Sequence, residues 1–525
     1  VSRRDELAEI LRARTPEFAV RDVPDRLAVD ARPEAVPGLA WLLTETQHFE
    51  FATLVVDHAG EDGKLAVRYF FYAPDEGCLV EIATVAAPGA ELPAISDAVH
   101  AADWHEREAE DLFGVRFAGH PFLGDFVLHD TDWAEGVAPM RQAFDPRTRP
   151  AEPGLGGDWR PRRLLHEQGA LVFPVGPVWG DYNESGLWLL ETPGEQIRQA
   201  HTRLFYKYRG TEKIAEGRMP QEALLLVERF NGNAAFAHAV AYCQALEKLA
   251  ACRVPPRAEA LRVVFAELER IRYHASTLAQ LAGSTALEVG KAMGQEIEEA
   301  LLRLAGEVCG HRYLFGLAAP GGLAWGPDAA ALARLAAGVA HANRQLVAYE
   351  RLLTRSSSFL DRIEEMGTLA PRLAATYGVV GPVGRAAGRT LDLRCALPYG
   401  GYAETPPEVA QETEGDGYAR LRVFFAEIRA SAELIRRRLE SLLDGPVAVP
   451  CDLGPGGALA WVEAPAGAAF HWVRLDTRRR IARLRLGTPG FRNWHAFHRA
   501  VEGAAFQDFP IILASFGLTV AENDR

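Results

Sequence analysis

Apolar positions recur at three- and four-residue spacing through much of the second half of this chain. Residues 221–253, 257–281, 287–309, 328–353 and 417–443 carry the pattern with many Ala, Leu and Glu, which predicts long amphipathic helices. Pro320-Gly-Gly, Pro382 and Gly445-Pro446 punctuate them, as expected of residues that end helices. After residue 450 the pattern shortens to strand-like runs. The first 143 residues differ: Leu54–Val56 and Leu65–Tyr72 are β-rich runs flanking Gly60-Glu-Asp-Gly63, a hairpin signal. Residues 96–112 read as a helix with a charged face, and Ser96 is placed to cap it. Between these regions, residues 144–163 hold four prolines and three glycines, a density that marks a linker. The predicted organisation is an α+β domain over 1–143, a linker over 144–170, and a mainly helical domain with β edges over 171–525.

Composition narrows the class. With 525 residues the chain exceeds one compact core, and its 48% hydrophobic and 24% charged content suits an ordinary globular protein. A net charge of −13 argues against nucleic acid as a partner. No apolar run reaches the roughly 18 residues of a membrane helix, and the opening Val1-Ser-Arg-Arg-Asp-Glu-Leu lacks a signal-peptide pattern. Any work at a membrane therefore needs other subunits to hold the chain there. The six cysteines, at 78, 243, 252, 309, 395 and 451, form no C-x-x-C pair, so no iron–sulfur or zinc site is expected in this chain.

Two sets of motifs resemble known families. His105-Glu106-Arg107-Glu108-Ala-Glu-Asp111-Leu-Phe-Gly114-Val-Arg-Phe117-Ala-Gly119-His120-Pro121 resembles the E-R-E-x-x-D-x-x-G-x-x-F-x-G-H-P signature of the 30-kDa subunit of respiratory complex I. Tyr208-Arg209-Gly210-Thr-Glu212-Lys213-Ile-Ala-Glu216, Pro320-Gly321-Gly322, Gly415-Asp416 and Thr488-Pro489-Gly-Phe-Arg-Asn493 resemble segments of group 4 [NiFe]-hydrogenase large subunits and the related 49-kDa subunit of complex I. The fused order, small domain first, is that of formate hydrogenlyase large subunits and fused complex I subunits.

The resemblance is strongest in frame and weakest in ligands. Glu228-Arg229-Phe-Asn231-Gly232-Asn-Ala234-Ala-Phe-Ala-His238 is similar to the nickel-binding pattern E-R-x-C-G-x-C-x-x-x-H, with Asn231 and Ala234 at the cysteine positions. The C-terminal segment places Thr519 and Glu522 at the second cysteine pair, and Ala466 replaces the arginine of an A-P-R-G segment. A nickel–thiolate site needs soft sulfur ligands, so the resemblance implies a frame without its metal: none is expected at Asn231, Ala234, Thr519 and Glu522. Glu288 lies fourteen residues after His274, as in hydrogenases; complex I subunits have about ten, a difference of about one helical turn.

What the resemblance implies about function follows from these positions. Glu184 stands where hydrogenases carry a proton-passing glutamate, and Glu184, His238, Arg229 and Glu288 are candidates for a proton relay or pocket. A loop glutamate and a satisfied core histidine are the plainer alternatives for Glu184 and His238. Trp179 and Asn183 fall at the quinone-binding histidines of complex I, while Pro220 stands where its tyrosine would be. The chain itself is expected to bind no cofactor, with an iron–sulfur cluster in a small partner subunit and quinone as an option. Membrane-embedded antiporter-like subunits would hold it peripherally at the cytoplasmic face. The expected role is electron-transfer coupling in a complex I-like or hydrogenase-related oxidoreductase, without hydrogenase activity of its own; a quinone-reactive subunit and a non-catalytic scaffold remain as alternatives. The arginine-rich stretch 474–485 reads as a solvated strand pair or as a dock for an acidic partner.

Overall fold

The computed structural model describes residues 3–14, 19–60, 62–74, 77–147, 165, 169–179 and 184–525. Most of the expected linker, together with Asn183 and Tyr182, lies outside the described residues. The chain forms two compact units, one built mainly from residues 1–162 and one from 163–202, 209–375 and 379–525.

In the first unit, helix α1 (Arg3–Arg14) precedes a five-stranded sheet of β1 (Ala19–Val23), β2 (Arg26–Asp30), β3 (Glu50–His58), β4 (Leu65–Tyr72) and β5 (Leu79–Ala86), in the order β1-β2-β5-β4-β3. Within this sheet β2 and β5 run parallel and the other described pairs are antiparallel, and a separate short pair, Glu91–Pro93 with Arg116–Ala118, is also parallel. β3 and β4 form the expected hairpin, with Val56 opposite Val67, and Gly60 and Gly63 in its connection both have positive φ.

Helix α2 spans Asp103–Phe113. It begins later than the charge pattern suggests, and Ser96 does not cap it. The Glu106 carboxylate instead accepts the Ile95 N–H at 2.8 Å, and residues 95–99 form a separate turn. The fixed order of the complex I-like motif then has a structural reason. Glu110 accepts the Gly124 N–H at 2.6 Å, and Asp111 accepts those of Val127 and Leu128 at 2.7 and 2.9 Å. Burial pushes the Asp111 carboxyl up to about 6 against the pull of those amides. Gly114 ends the helix in the left-handed region, φ +67. The motif's acids hold the following loop in place.

The second unit opens with a three-stranded sheet of β6 (Leu171–Val175), β7 (Leu187–Thr192) and β8 (Gln199–Arg203). Its main helices are α3 (Pro220–Val227), α4 (Ala235–Leu249), α5 (Pro256–Ser284), α6 (Glu288–Cys309), α7 (Ala329–Thr354), α8 (Gly381–Ala386), α9 (Leu393–Ala396), α10 (Gly417–Glu440), α11 (Pro489–Val501) and α12 (Phe509–Phe516), and short helices also cover Thr211–Ala215, Ser357–Ile363 and Pro371–Thr376. A meander of β9 (Gly456–Ala464), β10 (Gly467–Leu475) and β11 (Ile481–Gly487) follows α10. α5 is the spine, buried along nearly its whole length and packed against α6 and α10. α4 lies on β9 and β10. Asp328 and Asp416 cap α7 and α10 through N–H bonds of Ala331 and Ala419, each at 2.7 Å.

The pattern over 221–253 predicts one helix, yet α3 and α4 are separate. Asn231 is extended, φ −135, and its side chain accepts the Asn233 N–H at 3.1 Å. That local bond competes with helix continuation. Glu269 from α5 then receives the first amides of α4, Phe236 N at 2.8 Å and Ala237 N at 3.0 Å. Glu269→Ala is expected to destabilise the protein by about 1–3 kcal/mol, the cost of leaving buried donors without an acceptor; thermal unfolding at neutral pH checks it.

Candidate functional site

The break between α3 and α4 faces the C-terminal segment, and three of the sequence-selected residues meet there. Asn231 Nδ2 donates to Glu522 Oε1 at 3.1 Å. His238 Nε2, one turn into α4, stands 3.4 Å from the same oxygen. The second Glu522 oxygen accepts the Gly490 N–H at 2.8 Å. A Cβ at Gly490 would lie 2.4 Å from Glu522 Oε2, so a larger residue there would displace this carboxylate. Asn231, His238 and Glu522 are all buried, as are Ala234 and the meander residue His471.

His471, in the middle strand β10, completes the cluster. His238 Nδ1 lies 3.2 Å from His471 Nε2, and the rings stack with centroids 5.3 Å apart. Burial first, then His238, Arg525 and Arg485, pull the His471 pKa well below its ordinary value, so this ring is neutral. The proton positions follow from the neighbours. A bare nitrogen facing a carboxylate oxygen would be repelled, so His238 Nε2 carries a hydrogen toward Glu522. His238 Nδ1 is then the acceptor and His471 Nε2 the donor. His471 Nδ1 has no hydrogen-bond partner among the described residues. The result is a buried carboxylate–imidazole–imidazole array: His238 and His471 are hydrogen-bonded, and His238 Nε2 approaches Glu522 at 3.4 Å without completing a hydrogen bond, so proton donors and acceptors stand side by side.

The other selected residues are placed as follows. Glu184 is half-buried and accepts the Ala521 N–H at 2.7 Å, anchoring the residue next to Glu522. Thr519 accepts through its carbonyl from Trp494 Nε1 at 3.1 Å. Trp179 is half-buried beside Trp188 and Phe509, with centroids 6.4 and 6.2 Å away. Two candidates lie apart from the array. Glu288 is exposed at the start of α6, 3.6 Å from Lys291, where a carboxylate favours the helix N-terminus. Arg229 is exposed, pairs with Glu228 and covers the Phe315 ring. Sequence reasoning missed His471; its signal was a lone titratable side chain in the apolar run Gly467-Ala-Ala-Phe-His471-Trp-Val.

The arginine stretch also differs from a solvated strand pair. Residues 478–480 are exposed, but Arg483 and Arg485 are buried and turn inward to Glu212, at 2.9 and 3.6 Å.

Comparison with known proteins accounts for this frame. The profile of the respiratory-chain NADH dehydrogenase 49 Kd subunit matches residues 292–454 and 450–525, that of the 30 Kd subunit matches 29–150, and that of nickel-dependent hydrogenase matches 209–307. Formate hydrogenlyase subunit 5 of Escherichia coli is 30% identical over 512 residues, covering 95% of this chain and 89% of its own length. The chain belongs to the formate hydrogenlyase subunit 5 family. Hydrogenase-4 component G of Escherichia coli is 29% identical across 96% of the chain and 89% of its own length. The C/D subunit of the NADH-quinone oxidoreductase of Bdellovibrio bacteriovorus is 26% identical across 95% of both. The family thus joins fused complex I-like domains to a hydrogenase-like one.

In the donor set the resemblance assigns to nickel, Asn231 offers an amide, Ala234 a methyl, Thr519 a hydroxyl and Glu522 a carboxylate. Asn231 and Glu522 are bonded to each other. Among the described residues no group of three or more His, Cys, Asp or Glu has the geometry to hold a metal ion. Without sulfur, these residues do not fit a nickel–thiolate centre.

Proposed function

We propose that this chain is the large coupling subunit of a membrane-associated, complex I-like oxidoreductase, and that it works without a nickel–iron site. The observation that carries this reading is the direct Asn231–Glu522 bond, which joins two former ligand positions and turns the vacated centre into a proton-holding array with His238 and His471. A small partner subunit would carry the iron–sulfur cluster and supply the electrons. Membrane-embedded antiporter-like subunits would hold the assembly at the cytoplasmic face; no helix among the described residues is long and apolar enough to cross a membrane. Negative charge arriving nearby favours the protonated form of a buried carboxylate–imidazole pair, which gives the array its coupling role.

Metal analysis of the complex purified from its native membrane tests the reading. The expected result is iron without nickel, with a small iron–sulfur subunit and antiporter-like proteins co-purifying. Stoichiometric nickel in the large subunit would overturn it. A second reading, a quinone site at Trp179 with Asn183, is favoured by the aromatic wall of Trp179, Trp188 and Phe509. It predicts that Trp179→Ala abolishes quinone-dependent turnover, and unchanged turnover would exclude it.

A further inference from the structure

Two cysteines from distant parts of the chain meet at the C-terminal end of α4. The helix closes with two backbone bonds, Ala251 N to Lys248 O at 3.2 Å and Cys252 N to Glu247 O at 2.9 Å. Ala251 sits between them in the left-handed region, φ +46. This closure folds the chain back on the last turn and fixes the Cys252 backbone against α4. Cys451 arrives from the other side. The segment before β9 pairs with the Gly321-Gly322 turn: Val449 N donates to Gly321 O at 3.1 Å, and Ala448 bridges Gly322. Gly321 N in turn donates to the Glu247 carboxylate at 2.7 Å. A Cβ on Gly321 would lie 3.1 Å from Cys451 Sγ, and one on Gly456 would lie 3.4 Å from Leu249 Cδ2. Glu247 therefore positions both cysteines. Its carbonyl holds Cys252, and its carboxylate holds the turn on which the Cys451 sulfur rests.

The two thiols face each other. Burial first, then the hydrogen bond and the charge of the Cys252 thiol, push Cys451 up to about 12. Both residues are part-exposed, whereas Cys78, Cys243 and Cys309 are buried, so a reagent from solvent can reach this pair. The geometry does not suit a metal. Glu247 is engaged by Arg262 at 2.6 Å and by Gly321 N, and among the described residues no group of three or more His, Cys, Asp or Glu can hold an ion. Thiol–disulfide exchange is the chemistry left to two adjacent, reachable sulfurs.

We infer that Cys252 and Cys451 form a modification site that closes reversibly to an intramolecular disulfide, with a small disulfide of the glutathione type as oxidant. Cys252 attacks first, because the thiolate is the nucleophile and Cys451 is held as the thiol. The Cys252 thiolate displaces one thiolate from the oxidant and forms a mixed disulfide. Bonding of Cys252 removes its charge from beside Cys451, which then loses its proton and attacks the Cys252 sulfur, releasing the second thiolate. Two electrons pass from the cysteine sulfurs to the oxidant, and the two thiol protons end on its two released thiols. The bridge ties the end of α4, the helix of His238, to the segment that enters β9. It stands whether or not the former metal frame couples electrons to protons.

Peptide mapping of the full-length protein tests the inference. The protein is equilibrated in mixtures of oxidised and reduced glutathione, quenched with acid, alkylated, digested and analysed by mass spectrometry without reduction. A peptide pair linked through Cys252 and Cys451, lighter by two hydrogen atoms than its separate thiol forms, is expected. The ratio of linked to dithiol form should fall with the square of the reduced-glutathione concentration. Cys395, exposed and with its Sγ 3.6 Å from Pro407 O, is the internal control; it should take only a mixed disulfide, whose ratio falls with the first power. Absence of the linked pair in protein whose Cys395 is modified would overturn the proposal, and so would a link from Cys451 to Cys243 in its place. In Cys252→Ser the Cys451 thiol should stay largely unmodified, and ready glutathione addition to it there would overturn the order of attack.

Discussion

Glu212→Ala is expected to cost about 3–5 kcal/mol or more, the range for stranding buried charge by removing its partner. The Glu212 carboxylate is fully buried and receives Arg483, Arg485 and Arg525 at 2.9, 3.6 and 3.1 Å, together with the Leu486 N–H at 2.9 Å. Removing it leaves three buried guanidiniums repelling one another. Against a typical total of about 5–15 kcal/mol, this loss should depress the folded yield visibly. Denaturant unfolding of wild type and variant at neutral pH measures it. Burial alone would raise the Glu212 pKa, but the three arginines together outweigh burial and hold it at about 2. A depressed carboxylate contributes stability that is complete above its unfolded value, about 4.3, and is lost as pH falls toward the folded value. At about 1.4 kcal/mol per unit, this one group should account for about 3 kcal/mol of acid lability between roughly pH 4 and 2. The acid limb of the stability curve should be flatter by that amount in Glu212→Gln; an unchanged limb would show that other groups carry it.

The same cluster shows where sequence reading ends. Arg483 and Arg485 lie in a stretch whose composition suggests solvent or an acidic partner, and nothing local says that Glu212, some 270 residues earlier, lies opposite them. The periodic features were legible. α5, α6, α7 and α10 begin and end within three residues of their pattern limits, because a helix is written in the spacing of its own apolar residues. Asp328 and Asp416 cap the helices they precede. Local competition was harder to read: the Asn231 side-chain bond splits a continuous helical pattern, and Glu106 reaches back to Ile95 and moves the start of α2 from Ser96 to Asp103. Of the candidate site, the motifs located Asn231, His238 and Glu522 because they carried a frame. They also pointed to Arg229 and Glu288, which the fold turns to solvent. His471, and the arginines around Glu212, depend on which elements pack together, and pairing across hundreds of residues leaves no mark in spacing.

His238→Ala and Glu522→Ala should each lower turnover of the assembled complex by about 10²–10⁴-fold, the usual loss when a positioned proton carrier is removed. Each breaks the array at a different joint. Without Glu522, His238 Nε2–H faces no carboxylate, and the Asn231 amide and Gly490 N–H lose their acceptor. Without His238, Glu522 keeps both of those donors, but His471 loses the imidazole it donates to. His238→Ala is therefore the cleaner test, since the anchoring of the C-terminal segment survives in it. The pH dependence separates relay from packing. A residue that merely fills space changes stability and leaves the pH–rate profile in place, whereas loss of a proton carrier removes the limb that reports its titration. The measurement is turnover of purified complex across pH, with subunit stoichiometry checked to show that assembly is intact. Wild-type rates and an unshifted profile in intact His238→Ala complex would leave the array as a structural replacement for the metal frame and make the scaffold reading the right one.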